Sequence, residues 1–342
     1  MTNHVRITTG ARLHFGLLDV AAPFGGCGVM IDRPNTIVTA RRASEFSCTA
    51  SADGCEQGSR GHLQRATAIA QRIAHQIDSP ARLPPVHVEI MDAAPSHTGL
   101  GSGTQLSLAI AESILRVSPD TPSPQWVADT AGISLADGEI WLRAADRGRR
   151  SAVGTHGYLA GGFIAEGLTP SRGNSLLNTL DTRLEMPPAW RVSLLLPVAD
   201  PGQTGTVSGD QEQAKFDALP TVGAGQRAAL ADILTTQILP AIQSADFNAF
   251  CAATTEYNYR SGELFASVQG GAYNGEPTTR LVTHLRSEGY TGVGQSSWGP
   301  GVFVWHPDDT SALAFHENWN RPEYRVLTAR PQSTGRTVDT IQ

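Results

Sequence analysis

The chain has 342 residues, 40% of them hydrophobic, and a formal net charge of −6. That is length for two domains of ordinary size and apolar material for their cores. The negative balance argues against a broad nucleic-acid or anionic-membrane surface, and no apolar run reaches the ~20 residues of a membrane-spanning helix. The first residues, MTNHVRITTGARLHFGLL, lack the basic-then-apolar pattern of a secretory signal. Cys27, Cys48, Cys55 and Cys251 form neither a CxxC pair nor a dense framework, so reduced thiols in a cytoplasm are expected. Lys215 is the only lysine. A charged side chain that holds an anion is therefore expected to be an arginine, with its bidentate fork.

In chain order, residues 4–20 and 28–42 read as strands separated by turns. Over 61–77, Leu63, Ala66, Ile69, Ala70 and Ile73 recur at helical spacing. Val86, Val88 and Ile90 then alternate with His87 and Glu89, which predicts a strand. A glycine loop follows, then a helix in which Leu106, Ile110 and Ile114 step by four, and a second helical pattern over 124–146. The glycine-rich stretch 154–167 predicts a return to strand. Residues 168–190 turn to Pro, Ser, Asn and Arg, which places a boundary between a domain 1–170 and a domain 185–342. Beyond it we expect a strand at 190–198, helices at 226–250 and 278–288, and a strand–turn–strand at 291–307.

The loop PSHTGLGSGTQLS (95–107) carries the chemistry. Strand, glycine turn and helix in that order make an anion site, because the backbone approaches closely and first-turn N–H groups face the ligand. Ser102 and Thr104 add hydroxyls that can bond a phosphate oxygen or reach Mg²⁺. A Walker loop is excluded, since Gly103-Thr104-Gln105 stands where Gly-Lys-Ser/Thr would be. A dinucleotide fingerprint is excluded too, since Gly99-x-Gly101-x-Gly103 is not GxGxxG after the first strand. No nicotinamide is expected. No HExxH or comparable spacing exists, so no zinc is expected either. A tight turn that needs glycine for its φ angles alone remains the plain alternative.

With Pro95 to Gly103 the sequence resembles the second motif of the GHMP superfamily, Pro-x-x-x-Gly-Leu-Gly-Ser-Ser, with Gly103 in place of the last serine. The resemblance extends to Arg12-Leu-His14 and to the late turn Gly292–Gly299. It implies an α+β, two-domain GHMP-kinase-like fold: an N-terminal domain like that of ribosomal protein S5, a ferredoxin-like C-terminal domain, and a ligand between them. In the mevalonate kinase branch an aspartate sits in Ser-Gly-x-Asp before a Gly-Gly pair. Here Gly154 stands at that position, ahead of Gly161-Gly162. A carboxylate accepting the hydroxyl proton belongs to phosphoryl transfer in those enzymes. RLHFGLLD (12–19), SHTGLGSGTQLSLA (96–109) and SSWGP (296–300) resemble instead the branch of β-ribofuranosylaminobenzene 5'-phosphate synthases. That resemblance implies transfer of ribose 5-phosphate from phosphoribosyl pyrophosphate to p-aminobenzoate, with loss of CO₂ and pyrophosphate, in tetrahydromethanopterin biosynthesis. It also implies a homodimer.

The implied reaction assigns residues. His97, Gly99, Gly101, Ser102, Gly103, Thr104 and Gln105 would hold phosphate or pyrophosphate, with Mg²⁺ on Ser102 and Thr104. RAADRGRR (143–150) offers Arg143, Arg147, Arg149 and Arg150 for a second phosphate, or else a solvated helix end. Arg12, His14 and Asp19 are the catalytic candidates, for a cationic ribosyl transition state and for orienting the arene. Gln269, Gln295, Ser296 and Ser297 are candidates for the substrate. His14 could instead be a satisfied strand histidine, and His97 a local cap. Asp308 and Asp309, after an apolar strand, are expected to begin a helix rather than a ribosyl-binding loop. Two other functions stay open: an ATP-dependent kinase of the same superfamily, with a carboxylate such as Asp146, and a module that binds phosphorylated metabolites without turnover.

Overall fold

The computed structural model describes residues 3–51, 56–77, 79–119, 139–171, 175–198, 216 and 218–341. Two sheets organise the chain. The first has seven strands: β1 (His4–Leu17), β2 (Gly26–Arg42), β3 (Ser47–Ala50), β4 (Val86–Asp92), β5 (Phe163–Glu166), β6 (Leu180–Leu184) and β11 (Thr337–Thr340). The second has four, in the order β10 (Tyr324–Ala329), β7 (Arg191–Pro197), β9 (Val302–His306) and β8 (Val293–Gln295). This is the mixed α+β architecture expected.

The first sheet is nucleated by the long pair β1–β2, antiparallel from His4↔Arg41 to Leu17↔Gly26. Strand β6 lies in the stretch read from sequence as a junction, yet it pairs with β5, and β11 pairs with β1. The chain's tail thus returns to the first sheet. A buried network fixes it there: Arg336 donates to both oxygens of Glu112 at 2.9 and 3.0 Å, and Tyr158 Oη donates to Glu112 at 2.7 Å.

Helix α1 (Glu56–Gln76) and helix α2 (Ser102–Val117) cover this sheet. Helix α2 is buried almost all round, which its run LSLAIAESIL allows. Of the helix expected over 124–146, residues 124–138 lie outside the described residues, and α3 (Glu139–Ala145) forms its end. The stretch 154–167 departs from the expected strand. Helix α4 (Val153–Ala160) occupies its first half and β5 only the second. Glycine suits that helix because Gly157 packs on Met30, whose Cγ would lie 2.5 Å from an added Cβ.

The expected helix at 226–250 is broken. Helix α5 (Ala224–Asp232) runs into a π-helical turn (Ile233–Ile238) and α6 (Leu239–Gln243), where Pro240 has no N–H to donate. Asp246 then caps α7 (Phe247–Glu263) by accepting from Ala249 N at 3.0 Å. The short α8 (Ala266–Gln269), α9 (Gly275–Ser287) and α10 (Asp309–Asn318) complete the chain. Asp308 caps α10, accepting from Ser311 N at 2.7 Å, as expected of that acidic pair. Phe15 of the first sheet packs on Phe303 and Trp305 of the second, with ring centroids 5.5 and 6.3 Å away, so one apolar cluster joins the two sheets.

Candidate active site

A cleft of about 820 Å³ opens where the end of β1, the glycine loop, the 146–151 segment and the 295–299 turn converge. Three backbone segments are locked together at its base. Arg12 N donates to Leu100 O at 2.9 Å, His14 N donates to Ser296 Oγ at 3.1 Å, and Ser296 Oγ donates to Gly99 O at 2.9 Å. Gly99 has φ of 84°, and a Cβ there would lie 1.9 Å from Ser296 O. Only glycine fits this crossing of loop and turn.

Helix α2 begins behind Gly101, which is left-handed at φ 69°, and no side chain caps that start. Thr104 N donates to Gly101 O at 2.9 Å, so the amides of Ser102 and Gly103 are those that face a ligand or water. Arg65, not foreseen from the sequence, lies behind the loop and donates to Gly103 O at 2.9 Å. Burial, together with Arg147 and Arg72 nearby, lowers its pKa to about 10. Positive charge thus accumulates under the glycine loop.

Of the predicted residues, Arg12, His14, His97, Gly99, Gly101, Ser102, Gly103, Thr104, Arg147, Arg149, Arg150, Gln269, Gln295 and Ser297 all line the cleft. Gln105, Ser296 and Asp19 are not in the lining. Gln105 is fully buried, accepting from Thr9 Oγ1 at 2.8 Å and donating to Gly154 O at 2.9 Å. Ser296 is the buried clasp just described. Asp19 accepts from Ala21 N at 3.1 Å and lies 3.7 Å from Arg227 Nη1. Gln295 faces the cleft, but its amide is engaged, accepting from Asn274 N and donating to Ser297 O, each at 2.6 Å. Gln269 donates to Gly262 O and Gly271 O at 3.1 and 3.0 Å, while its Oε1 is buried without a hydrogen-bond partner.

His14 is neutral. Burial first, and Arg12 second, hold its pKa well below the usual imidazole value. Its Nε2 meets Ser151 Oγ at 3.1 Å. Behind that pair lies Glu166, 0% exposed, whose Oε1 accepts from Ala152 N at 3.1 Å. Burial raises the Glu166 carboxyl to about 7. Ser151 and Glu166 are not among the candidates read from the sequence: Ser151 stands at the serine of the Ser-Gly-x-Asp alignment, whose signal is the missing aspartate, and Glu166 lies at the end of the glycine-rich stretch.

Asp146 is the only carboxylate in the described lining, and Arg149 engages it at 2.6 Å. Among the described residues no group of three His, Cys, Asp or Glu could hold a metal ion. The hydroxyls of Ser102 and Thr104 suit a Mg²⁺ that arrives with a polyphosphate and keeps most of its ligands from phosphate and water.

No protein-family model matches the chain. The β-ribofuranosylphenol 5'-phosphate synthase of Methanothermobacter thermautotrophicus is 26% identical over 321 residues, 87% of each chain. Proteins of the same name from Methanocaldococcus jannaschii and Archaeoglobus fulgidus also align. In structure, mevalonate diphosphate decarboxylase from Enterococcus faecalis superposes with a TM-score of 0.64 at 14% identity, covering 100% of this chain and 99% of that one. Homoserine kinase from Cytophaga hutchinsonii gives 0.63 at 13% identity, covering 99% and 98%.

Proposed function

We propose that this chain, which has the GHMP-kinase-like fold and resembles β-ribofuranosylphenol 5'-phosphate synthases along most of its length, is a C-riboside synthase. It would join ribose 5-phosphate, from phosphoribosyl pyrophosphate, to a para-activated benzoate and release CO₂ and pyrophosphate. One observation carries the reading: the cleft sets Arg12, Arg147, Arg149 and Arg150 around a glycine loop, against one carboxylate among the described lining residues, and that one is paired. That is a site for a doubly phosphorylated anion with no general base.

In this reading glycine-loop amides and Arg147 bind the pyrophosphate, and Arg149 or Arg150 the 5-phosphate. A Mg²⁺ bound with the donor would supply charge neutralisation for the departing pyrophosphate. As neutral imidazole, His14 leaves the ribosyl carbon free to become cationic, and its bond to Ser151 fixes the ring. No proton is abstracted from the acceptor, so Gly154 in place of a carboxylate costs the reaction nothing.

The acceptor is p-aminobenzoate or p-hydroxybenzoate. The relatives are named for a phenol product, which the hydroxy acid would yield. We further propose a homodimer acting in the cytoplasm in tetrahydromethanopterin biosynthesis. The rival is an ATP-dependent kinase, favoured by Asp146 in the lining. Pyrophosphate release separates them: it should require both donor and aromatic acid, and yield an acid-stable C-riboside by mass and NMR. Consumption of ATP on an alcohol panel, with no pyrophosphate formed from the ribosyl donor, would favour the kinase.

A further inference from the structure

Besides the buried Phe15, four aromatic rings enter the cleft wall from separate parts of the chain: Phe24, Phe216, Phe265 and Trp298. They form a connected set. Phe216 lies 4.9 Å from Trp298, 5.5 Å from Phe265 and 6.2 Å from Phe24, and Phe265 lies 5.0 Å from Trp298, ring centroid to centroid. A wholly structural cluster would be sealed, whereas Phe24, Phe216 and Trp298 are only partly buried and pack on the rim of the core. The Arg150 guanidinium sits over Phe216, 4.3 Å from its centroid. The aromatic wall thus adjoins the cationic segment 147–150.

We infer that the cluster of Phe216, Trp298 and Phe265 beside Arg150 is the subsite for the acceptor's aromatic ring, an inference that rests on the synthase reading above. A flat anionic ring is recognised by aromatic faces and an adjacent guanidinium together. Contiguity with the arginines places the ring next to the ribosyl carbon. There a ring π pair forms the C–C bond to ribosyl C1 as the C1–O bond breaks, its electron pair leaving with pyrophosphate. The ring–carboxylate bond then breaks, returns its pair to the ring and releases CO₂. Atoms and charge balance without an added proton or oxidant. An apolar wall suits the second step, since a carboxylate held out of water loses CO₂ more readily.

The test compares Phe216→Leu, Phe216→Tyr and Trp298→Leu with the parent chain, measuring KM for p-hydroxybenzoate, p-aminobenzoate and phosphoribosyl pyrophosphate, with melting temperature as a fold control. Phe216→Leu and Trp298→Leu should raise KM for the aromatic acids about tenfold, equivalent to ~1.4 kcal/mol. The donor KM should change less than twofold, and Phe216→Tyr should restore the acceptor KM. A parent enzyme that turns over while both leucine variants keep the parental acceptor KM overturns the assignment and leaves the synthase reading standing. A parent chain that turns over neither acid removes the synthase reading, and the subsite with it.

Discussion

Glu166→Gln should flatten the pH dependence of this fold. Glu166 is 0% exposed on β5, and burial, the largest influence, raises its carboxyl from 4.5 to about 7. The folded chain therefore holds a proton that the unfolded chain releases between those values. Stability from this group is full below pH 4.5 and is lost as pH rises through about 7. At ~1.36 kcal/mol per pH unit, the interval corresponds to about 3 kcal/mol. With an unfolding entropy of ~2.1 cal/mol/K per residue, that is a melting-temperature change of about 4 °C for the chain. Glutamine keeps the oxygen that accepts from Ala152 N and cannot ionise. Thermal unfolding of both proteins from pH 4.5 to 8 should show the variant gaining on the parent by about 4 °C across the range. A constant difference would refute the buried protonated carboxyl.

Three further outcomes follow from the geometry. Gly99→Ala combines a left-handed residue with a Cβ 1.9 Å from Ser296 O, so melting should reveal a loss of about 2–4 kcal/mol, and pyrophosphate binding should weaken with the displaced loop. Gly154→Asp places its Cβ 3.3 Å from Thr104 Cγ2, a tight contact that a shift of Thr104 by a few tenths of an ångström relieves, and 3.5 Å from Arg12 Cδ, an ordinary one, so the fold should persist. Its carboxylate beside Arg12 competes for the guanidinium that faces the glycine loop, so calorimetry should show weaker donor binding. Arg336→Ala removes two charge-assisted hydrogen bonds from the buried Glu112 carboxylate, which keeps Arg116 and Tyr158, and should cost about 1.5–3 kcal/mol in denaturant unfolding, with the tail β11 losing hydrogen-exchange protection first.

Much of the cleft was legible because its parts are local. A strand, three glycines and a helix follow each other within residues 86–117, and the arginines at 147–150 are nearly adjacent. Arg12 and His14 share a face of β1 through the two-residue strand period. Illegible were contacts made only by folding. Arg65 reaches Gly103 from a different helix, Glu166 reaches Ala152 across a strand connection, and the aromatic wall gathers residues from 24 to 298. Motif adjacency drew in Gln105 and Ser296, which the structure engages in backbone clasps. The helix over Val153–Ala160 was hidden because glycine lowers helical propensity, while burial against Met30 selects it.

Decarboxylating ribosyl transfer is the reaction to measure. Purified chain with Mg²⁺, phosphoribosyl pyrophosphate and carboxyl-labelled p-hydroxybenzoate or p-aminobenzoate should release labelled CO₂ only when the donor is present, one CO₂ for each pyrophosphate. Labelled acid that stays intact with both substrates present, while a parallel incubation consumes ATP, would contradict the account and make this cleft a kinase site.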